Sequence, residues 1–334
     1  MSRRIHSVTT MTPLRVSFMG GGTDFPRYYS EHGGLVVSAG IQTHVYVTVM
    51  RHSPLFGERY RISYSETERR ADRDSIDNGI VRGCLELLGI DEPLHISTSA
   101  DVPAMSGLGS SSSFAVGLLL ALHAMHGEDM SAAALADEAC KVELGVLGKP
   151  IGIQDQYAAA FGGLNAFHFM PTGRVLVEPI SQQALGTDIT GGLFLVWTGM
   201  QRKAEEILAD QDRRTEINMQ QLDAMKSLAD GLLAEMHGLS LSLERFAELL
   251  SKGWAMKKGL SSAISNPGVD GLWEELLAAG AIGGKLLGAG GGGFMLAVVP
   301  EDAQAGFLAR MTDRSPIRLQ VDPLGARILN IVEK

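Results

Sequence analysis

Alternation of apolar and polar residues predicts several half-buried strands in the first third of the chain. Side chains of a strand point alternately to the two faces of a sheet, so a period of two indicates one buried face. This alternation occurs over residues 14–18, 44–50 and 59–64, and a short apolar run at 94–99 predicts a further strand. The chain therefore begins as a β-rich region.

Apolar residues at helical spacing predict helices between and after these strands. The predicted helices cover residues 76–88, 111–126, 131–146, 154–161, 271–281 and 303–311. Asp270 is the predicted N-cap of the helix at 271–281. Residues 201–262 predict a long helical region with breaks at Gly231 and Gly238, because glycine is unfavourable inside a helix. A hairpin over 164–180 and strands at 193–198 and 294–299 complete the pattern, with two short strands at the end of the chain.

The length and composition indicate a globular protein with two domains. The chain has 334 residues, of which 45% are hydrophobic and 20% are charged. This length is long for a single hydrophobic core. Near residues 180–190 the strand-rich pattern gives way to a long polar and leucine-rich helical region. We therefore predict domains at 1–185 and 186–334.

Charge and apolar runs argue against several classes of function. The formal net charge is −9 and no basic run occurs, so we expect no nucleic-acid partner. The apolar run at 114–125 is too short to span a bilayer and the N-terminus lacks the apolar stretch of a signal peptide, so we expect no membrane partner. Cys84 and Cys140 lie far apart and fit a reducing cytoplasm.

A glycine–serine stretch before the helix at 111–126 is the strongest candidate for a ligand site. It runs Pro103-Ala-Met-Ser-Gly-Leu-Gly-Ser-Ser-Ser-Ser113. Gly107 and Gly109 let the backbone bend and approach a ligand, and the serines are suitable N-caps. The free N–H groups and positive dipole of the helix would then face an anion such as a phosphate. No Lys-Ser or Lys-Thr pair follows, unlike in a Walker A loop, and an ordinary turn is the alternative for this loop alone.

Four glycine-bearing motifs follow one another along the chain. They are Pro13-Leu-Arg-Val-Ser-Phe-Met-Gly-Gly-Gly-Thr-Asp24, the Pro103–Ser113 loop, Gly152-Ile-Gln-Asp-Gln156 and residues 285–293. In this order they resemble the GHMP kinase superfamily, which includes galactokinase, homoserine kinase and mevalonate kinase. The first motif resembles the galactokinase signature, with Gly-Gly-Gly in place of Gly-Glu-His. Together with Thr198-Gly-Met-Gln-Arg202, the four motifs resemble the D-glycero-D-manno-heptose 7-phosphate kinases, and fucose kinases share part of the pattern.

This resemblance implies an α+β fold with an S5-like N-terminal domain and a ferredoxin-like C-terminal domain. ATP and a sugar phosphate would meet between them, with Mg²⁺ as the metal, and a homodimer is compatible with this reading. The implied reaction is phosphorylation of the anomeric hydroxyl of heptose 7-phosphate to the 1,7-bisphosphate. The alternatives are a fucose or galactose kinase, a catalytically inactive nucleotide- and sugar-binding regulator, and a decarboxylase of a mevalonate-type acid. Thr23 and Asp24 argue against the decarboxylase.

The resemblance assigns catalytic roles to Asp155 and Arg15. Asp155 would receive or orient the proton of the acceptor hydroxyl, and Arg15 would stabilise charge on the transferring group. Ser111, or the adjacent Ser110, and Glu143 would hold Mg²⁺, which prefers oxygen ligands. The non-catalytic alternatives are that Asp155 caps a helix, Arg15 forms a surface ion pair and Glu143 lies on a solvated helix face.

The remaining candidates would contact the nucleotide or the sugar. The predicted nucleotide-binding residues are Pro103, Ser106, Gly107, Leu108, Gly109, Ser110, Ser111 and Ser112. The predicted sugar-binding residues are Gly21, Gly22, Thr23, Asp24, Arg202, Gly290 and Gly291. A 7-phosphate would need a cation, for which Arg27, Arg202 and Lys203 are candidates, each with an ordinary surface charge as the alternative. For the glycines at 288–293, tight packing of a helix on a strand is the alternative to ligand contact.

Overall fold

A computed structural model describes residues 4–201 and 204–334 and arranges them in two β-sheets covered by helices. The strands are β1 (Ile5–Met19), β2 (Gly34–Arg51), β3 (Tyr60–Ser63), β4 (Thr67–Arg70), β5 (Leu94–Ala100), β6 (Leu164–Phe169), β7 (Val175–Ile180), β8 (Leu193–Trp197), β9 (Gly283–Leu286), β10 (Phe294–Val298), β11 (Ile317–Arg318) and β12 (Arg327–Glu333). The helices are α1 (Pro26–His32), α2 (Gly79–Leu87), α3 (Ser110–Met125), α4 (Ala132–Cys140), α5 (Gln154–Phe161), α6 (Gly186–Gly191), α7 (Ala204–Arg213), α8 (Met219–His237), α9 (Leu243–Leu260), α10 (Pro267–Ala279) and α11 (Glu301–Arg310). A π-helical turn, Lys141–Val146, continues α4. Within the two described ranges, no helix is long and apolar enough to cross a membrane.

The first sheet has eight strands and is built around the long strands β1 and β2. Its order is β12-β1-β2-β5-β3-β4, and β6 pairs with both β2 and β7. The β3–β5 pair is parallel, whereas the β1–β2 and β1–β12 pairs are antiparallel. Strand β12 comes from the end of the chain and pairs with β1, so the first sheet contains strands from both predicted domains, 1–185 and 186–334. The boundary itself stays a prediction.

The second sheet has four strands in the order β11-β8-β10-β9, all antiparallel. Its buried side chains, including Phe194 and Met295, pack in a cluster with Trp254 of α9 and Phe307 of α11. This cluster is separate from the larger core around the first sheet. The described residues therefore form two hydrophobic cores, as expected for the length of the chain.

Helix α3 is enclosed by the first core and fixes the phosphate loop that precedes it. Every side chain from Ser112 to Met125 is buried, which is typical of a helix with apolar neighbours on all sides. Thr10 in β1 donates a hydrogen bond of 2.9 Å to the carbonyl oxygen of Gly117. The hydroxyl of Ser113 donates a bond of 2.9 Å to the carbonyl oxygen of Pro13. The helix start is thereby held against the strand that carries Arg15.

Three local predictions are corrected by the structure. Gly231 lies inside α8 at an exposed position and does not break the helix, since one glycine costs only about 1 kcal/mol there. Gly238 does end this helix. The N-cap of α10 is Asn266 and not Asp270, because the Asn266 side chain accepts from two backbone N–H groups of the first turn. The helix predicted over 131–146 becomes π-helical at Lys141.

His123 of α3 is buried and pairs with two glutamates that are more exposed than it is. Its ring nitrogens lie 2.5 Å from Glu128 Oε2 and 2.7 Å from Glu138 Oε2. Burial lowers the pKa of His123, but the hydrogen bonds with Glu128 and Glu138 outweigh burial, and the pKa is raised overall from 6.5. Since the folded state then binds the proton more tightly, this group stabilises the fold below about pH 6.5, and the contribution is lost as pH rises through the raised pKa.

We therefore expect a pH-dependent difference between the unmodified protein and His123→Gln. The free energy of unfolding, measured by urea denaturation, should fall more steeply in the unmodified protein than in the variant as the pH rises above about 6.5. His126, which is exposed at the C-cap of α3, provides the control variant His126→Gln. Parallel pH curves for the unmodified protein and His123→Gln would contradict the assignment.

Candidate active site

An ion pair between β1 and α5 lies at the wall of a cavity of about 410 Å³. Arg15 Nε donates to Asp155 Oδ1 at 2.6 Å, and Nη2 donates to Oδ2 at 2.7 Å. Arg15 Nη1 also donates to the carbonyl oxygen of Gly107 at 2.7 Å. Arg15 is buried, whereas the Asp155 side chain is 24% exposed and faces the cavity. Arg15 is therefore not in a surface ion pair, and Asp155 lies inside the first turn of α5 and not at its cap.

A second carboxylate, that of Asp24, lines the same cavity. Its Oδ1 accepts from the Gly22 N–H at 2.9 Å, and Oδ2 accepts from Gln154 Nε2 at 3.0 Å. A Cβ on Gly152 would lie 1.9 Å from Asp24 Oδ2, so the carboxylate can reach this place only because position 152 is glycine. Burial raises the pKa of Asp24, the Gly22 N–H opposes this rise and the charge of Asp155 adds to it.

Glu143 is fully buried in the π-helical turn, and its carboxylate accepts four hydrogen bonds. The donors are Ser111 Oγ at 2.8 Å, Ser112 Oγ at 2.6 Å, Gln156 Nε2 at 2.7 Å and Lys149 Nζ at 3.1 Å. Glu143 therefore does not lie on a solvated helix face. π-Helical turns are frequent at functional sites, and this one directs Glu143 towards the phosphate loop.

Lys149 occupies the position between the two oxygens that the sequence predicts as magnesium ligands. Its ammonium lies 3.0 Å from Ser111 Oγ and 3.1 Å from Glu143 Oε1. A hydroxyl and a carboxylate that share one cationic group have the donor chemistry that Mg²⁺ requires. The residues present thus fit a divalent cation.

The start of α3 has the geometry of an anion site. Gly109 is the N-cap, and no side chain caps the first turn. The prediction that a serine caps this helix is wrong, because the Ser111 and Ser112 hydroxyls donate to Glu143 and the Ser113 hydroxyl donates to the Pro13 carbonyl oxygen. N–H groups of the first turn therefore lack side-chain partners at the cavity wall, as a phosphate site needs.

The glycines of the fourth motif allow close backbone packing, and Gly288 packs against the phosphate loop of the other half of the chain. A Cβ on Gly288 would lie 2.5 Å from Gly107 Cα, which shows how closely the two loops approach. Gly291 N donates to the carbonyl oxygen of Ile264 at 2.8 Å, and a Cβ on Gly290 would lie 2.8 Å from that oxygen. Gly290 and Gly291 are not among the residues that line the cavity, so the geometry favours the packing role for them.

Most of the predicted site residues come together at the cavity. Those that line it are Arg15, Gly21, Gly22, Asp24, Gly107, Gly109, Ser110, Ser111, Ser112, Glu143 and Asp155. Those that do not line it are Thr23, Pro103, Ser106, Leu108, Gly290 and Gly291. Thr23 instead fastens a turn through its hydroxyl, and Arg27 pairs with Asp212 at 3.0 Å. Arg202 and Lys203 lie outside the described residues.

Lys257 of α9 is a cavity residue that the motif analysis missed. It is buried, lines the cavity and donates a hydrogen bond to the carbonyl oxygen of Gly288. Burial, reinforced by Arg15, lowers the pKa of Lys257 to about 8, although Asp24 and Asp155 oppose this change. Its signal in the sequence is a lysine on the apolar stripe of a helix, three residues after the buried Trp254.

Lys285 of β9 is a second buried lysine beside the cavity. Its ammonium donates to the carbonyl oxygens of Ser17 at 3.0 Å and Phe18 at 3.1 Å. Burial, with repulsion from Lys257 and Arg15, lowers the pKa of Lys285 well below its usual value. Because its two acceptors both lie in β1, Lys285 joins the second sheet to the first.

A second cavity of about 480 Å³ adjoins the first. Its lining residues are Tyr64, Asn78, Gly79, Ile80, Leu147, Gly148, Lys149, Pro150 and Glu205. Lys149 and Glu205 line both cavities. Its walls are mainly apolar with a few polar groups, which is the usual character of a small-molecule site.

Two family models match separate parts of the chain. Residues 78–163 match GHMP kinases N terminal domain, and residues 232–315 match GHMP kinases C terminal. A D-glycero-alpha-D-manno-heptose 7-phosphate kinase from Campylobacter jejuni is 32% identical over 310 residues, 86% of this chain and 88% of that protein. A galactokinase from Pyrococcus furiosus is 26% identical over 327 residues, 88% of this chain and 90% of that protein.

Two solved structures have a similar fold over nearly the whole of this chain. A D-glycero-D-manno-heptose 1-phosphate kinase from Bacteriodes thetaiotaomicron has a TM-score of 0.78 at 23% identity and covers 97% of this chain and 99% of its own. Lactococcus lactis galactokinase complexed with galactose has a TM-score of 0.72 at 18% identity and covers 96% and 95%. These likenesses confirm the predicted fold class.

Proposed function

The chain belongs to the GHMP kinase family, and we propose that it phosphorylates the anomeric hydroxyl of D-glycero-D-manno-heptose 7-phosphate. ATP-dependent phosphotransfer to a hydroxyl group is the activity of this family and of this chain. The heptose phosphate is proposed because a relative with 32% identity over most of both chains carries that name. The observation that supports the site is the Arg15–Asp155 pair against the phosphate loop, in a cavity that Asp24 also lines.

The proposed reaction places Asp155 at the acceptor hydroxyl. The hydroxyl oxygen forms a bond to the γ-phosphorus, the bond to the bridging oxygen breaks, and ADP leaves with the electron pair. The proton passes to Asp155, whose oxygens each have a further acceptor site beside the bond from Arg15. Arg15 would stabilise the negative charge that develops on the transferring group, because its guanidinium is already held in a buried position where water screens charge poorly.

Ser111 and Glu143 are the proposed ligands of Mg²⁺. The metal would supply positive charge to the phosphate oxygens of the nucleotide. Lys149 now neutralises the same pair of oxygens and would have to release Ser111 when the metal binds. The first turn of α3 would hold phosphate oxygens through its free N–H groups, and the second cavity would take the nucleoside.

Asp24 is the proposed anchor of the sugar hydroxyls. Gly22 and Gln154 fix the orientation of its carboxylate before any ligand arrives. A carboxylate that is already oriented binds hydroxyls without the entropic cost of ordering its own side chain. Gly21 and Gly22 expose backbone at the same wall of the cavity, where a side chain would fill the space.

The proposed substrate is tested with a panel of acceptors. ADP release with Mg-ATP would be measured on heptose 7-phosphate, unphosphorylated heptose, mannose, fucose, galactose and mevalonate, with phosphorus NMR to identify the product. We expect kcat/KM on heptose 7-phosphate to exceed that on the other acceptors by about 100-fold or more, because a site built for a polar group rejects analogues that leave it unpaired.

The other outcomes of the panel are equally informative. Preferred turnover of fucose or galactose would show that the chain is a kinase of another sugar. Binding of ATP without turnover of any acceptor would favour the inactive regulator. Either result would contradict the proposed substrate and leave the family assignment unchanged.

A further inference from the structure

The cations at the main cavity differ in how well their charge is matched. Arg15 is paired with Asp155, and Lys149 is paired with Glu143. Lys285 donates to two backbone carbonyls of β1. Lys257 donates to a single carbonyl, and within the part of the chain that the structure describes it forms no ion pair.

Lys257 lies at the contact between the phosphate loop (Pro103–Ser113) and the fourth motif (residues 285–293). Its partner is the carbonyl of Gly288, and Gly288 is in direct contact with Gly107. Arg15 holds the carbonyl of Gly107 from the side of the first sheet. Two cationic side chains thus reach the touching loops from two different elements, β1 and α9, and both line the same cavity.

We propose that the ammonium of Lys257 binds a phosphate group in this cavity. The phosphate is either the γ-phosphate of the nucleotide or the phosphate of the acceptor sugar, since both present the same oxyanion chemistry. An ammonium has three N–H donors, and Gly288 uses only one of them. The inference rests on the proposed function only for the identity of the acceptor.

The electrostatics of the site support this assignment. A buried cation without a carboxylate partner is unfavourable, and an incoming phosphate would remove that penalty. Burial and the charge of Arg15 depress the pKa of Lys257, whereas Asp24 and Asp155 oppose the change. With a pKa of about 8 the group remains mainly protonated at neutral pH, so it can meet an anion. Perturbed lysines in clefts are a common mark of binding and catalytic sites.

The competing explanation is that Lys257 only fastens the loop at Gly288. Lys257→Gln separates the two, because the glutamine amide can still donate to the Gly288 carbonyl but carries no charge. Lys258→Gln is the matched control: Lys258 is the next residue of α9, is partly exposed and lies 3.4 Å from Asp270. Lys257→Met, which removes both the charge and the donor, is measured beside them.

The test is a set of calorimetric binding measurements on the unmodified protein and the three variants. The ligands are a non-hydrolysable ATP analogue, ADP, heptose 7-phosphate and unphosphorylated heptose. If Lys257 binds the γ-phosphate, Lys257→Gln should lower the affinity for the ATP analogue by about tenfold or more relative to the affinity for ADP. If it binds the acceptor phosphate, the preference for the phosphorylated heptose should fall by about tenfold or more.

Each outcome decides the inference. A change in either ratio, absent in Lys258→Gln, supports it and identifies the phosphate. The inference is overturned if both affinity ratios, ATP analogue to ADP and phosphorylated to unphosphorylated heptose, stay within about twofold of the unmodified protein in both Lys257 variants. It is also overturned if Lys257→Met lowers a ratio but Lys257→Gln keeps it, because the hydrogen bond to Gly288 and not the charge would then be what matters. If the unmodified protein binds no heptose 7-phosphate, the proposed substrate is wrong, and the nucleotide ratio alone then decides the role of Lys257.

Discussion

Replacement of Asp155 by asparagine should lower kcat by about 10³-fold, equivalent to about 4 kcal/mol in activation free energy. The amide oxygen can still accept one hydrogen bond, but it cannot take the proton of the acceptor hydroxyl. The amide nitrogen would also face a guanidinium N–H of Arg15, where a carboxylate oxygen now accepts at 2.6 or 2.7 Å. Affinity for the ATP analogue should change little, because Asp155 belongs to the acceptor side of the reaction.

Two further measurements make this result specific. Asp91→Asn, which alters an aspartate 3.3 Å from Arg59 on the surface, should keep kcat within about twofold. Thermal melting of Asp155→Asn should show a folded protein, so that lost activity is not lost structure. If Asp155→Asn keeps more than about a tenth of kcat on the preferred acceptor, the carboxylate is not the proton acceptor.

The order of strands and helices follows closely from the sequence because the apolar periodicity is strong. The helix at α3 and the short helix Gln154–Phe161 lie within a residue of their predicted positions. The full length of β1 could not be predicted, since Thr10 and Thr12 read as polar although both are fully buried. Thr10 satisfies its hydroxyl on the Gly117 carbonyl, a partner more than a hundred residues away. Such tertiary contacts are invisible to a local pattern.

The site is predictable only where the family resemblance assigns a residue. Arg15, Asp24 and Asp155 lie in the family motifs, whereas Glu143 lies in no motif and is assigned by its position in the resemblance; the structure brings all four to one cavity. Lys257 belongs to no motif and lies in a region that reads simply as amphipathic helix. The role of Lys257 depends on how α9 packs against the loop at Gly288, and neither the helix pattern nor the glycine motif reveals that packing. Placement of the π-helical turn, which directs Glu143 inward, likewise requires tertiary structure.

Replacement of Lys257 by methionine should raise the free energy of unfolding while it weakens phosphate binding. A lysine pKa that falls from 10.5 in the unfolded chain to about 8 in the fold corresponds to about 3 kcal/mol of destabilisation at neutral pH. Methionine has a similar unbranched shape and removes this penalty, at the loss of one hydrogen bond to Gly288 worth about 1 kcal/mol. The net expectation is a gain of about 2 kcal/mol near pH 7.

The pH dependence gives this prediction its sign. Because the unfolded chain holds the Lys257 proton more tightly, the stability of the unmodified protein gains from this group as pH rises from about 8 to 10.5. The advantage of Lys257→Met in urea denaturation should therefore shrink over that range, and Lys258→Met should show no such trend. If Lys257→Met is less stable than the unmodified protein at pH 7, the lysine contributes net stability to the fold. Greater stability together with weaker phosphate binding is the result expected of a charge held in an unfavourable place for its ligand.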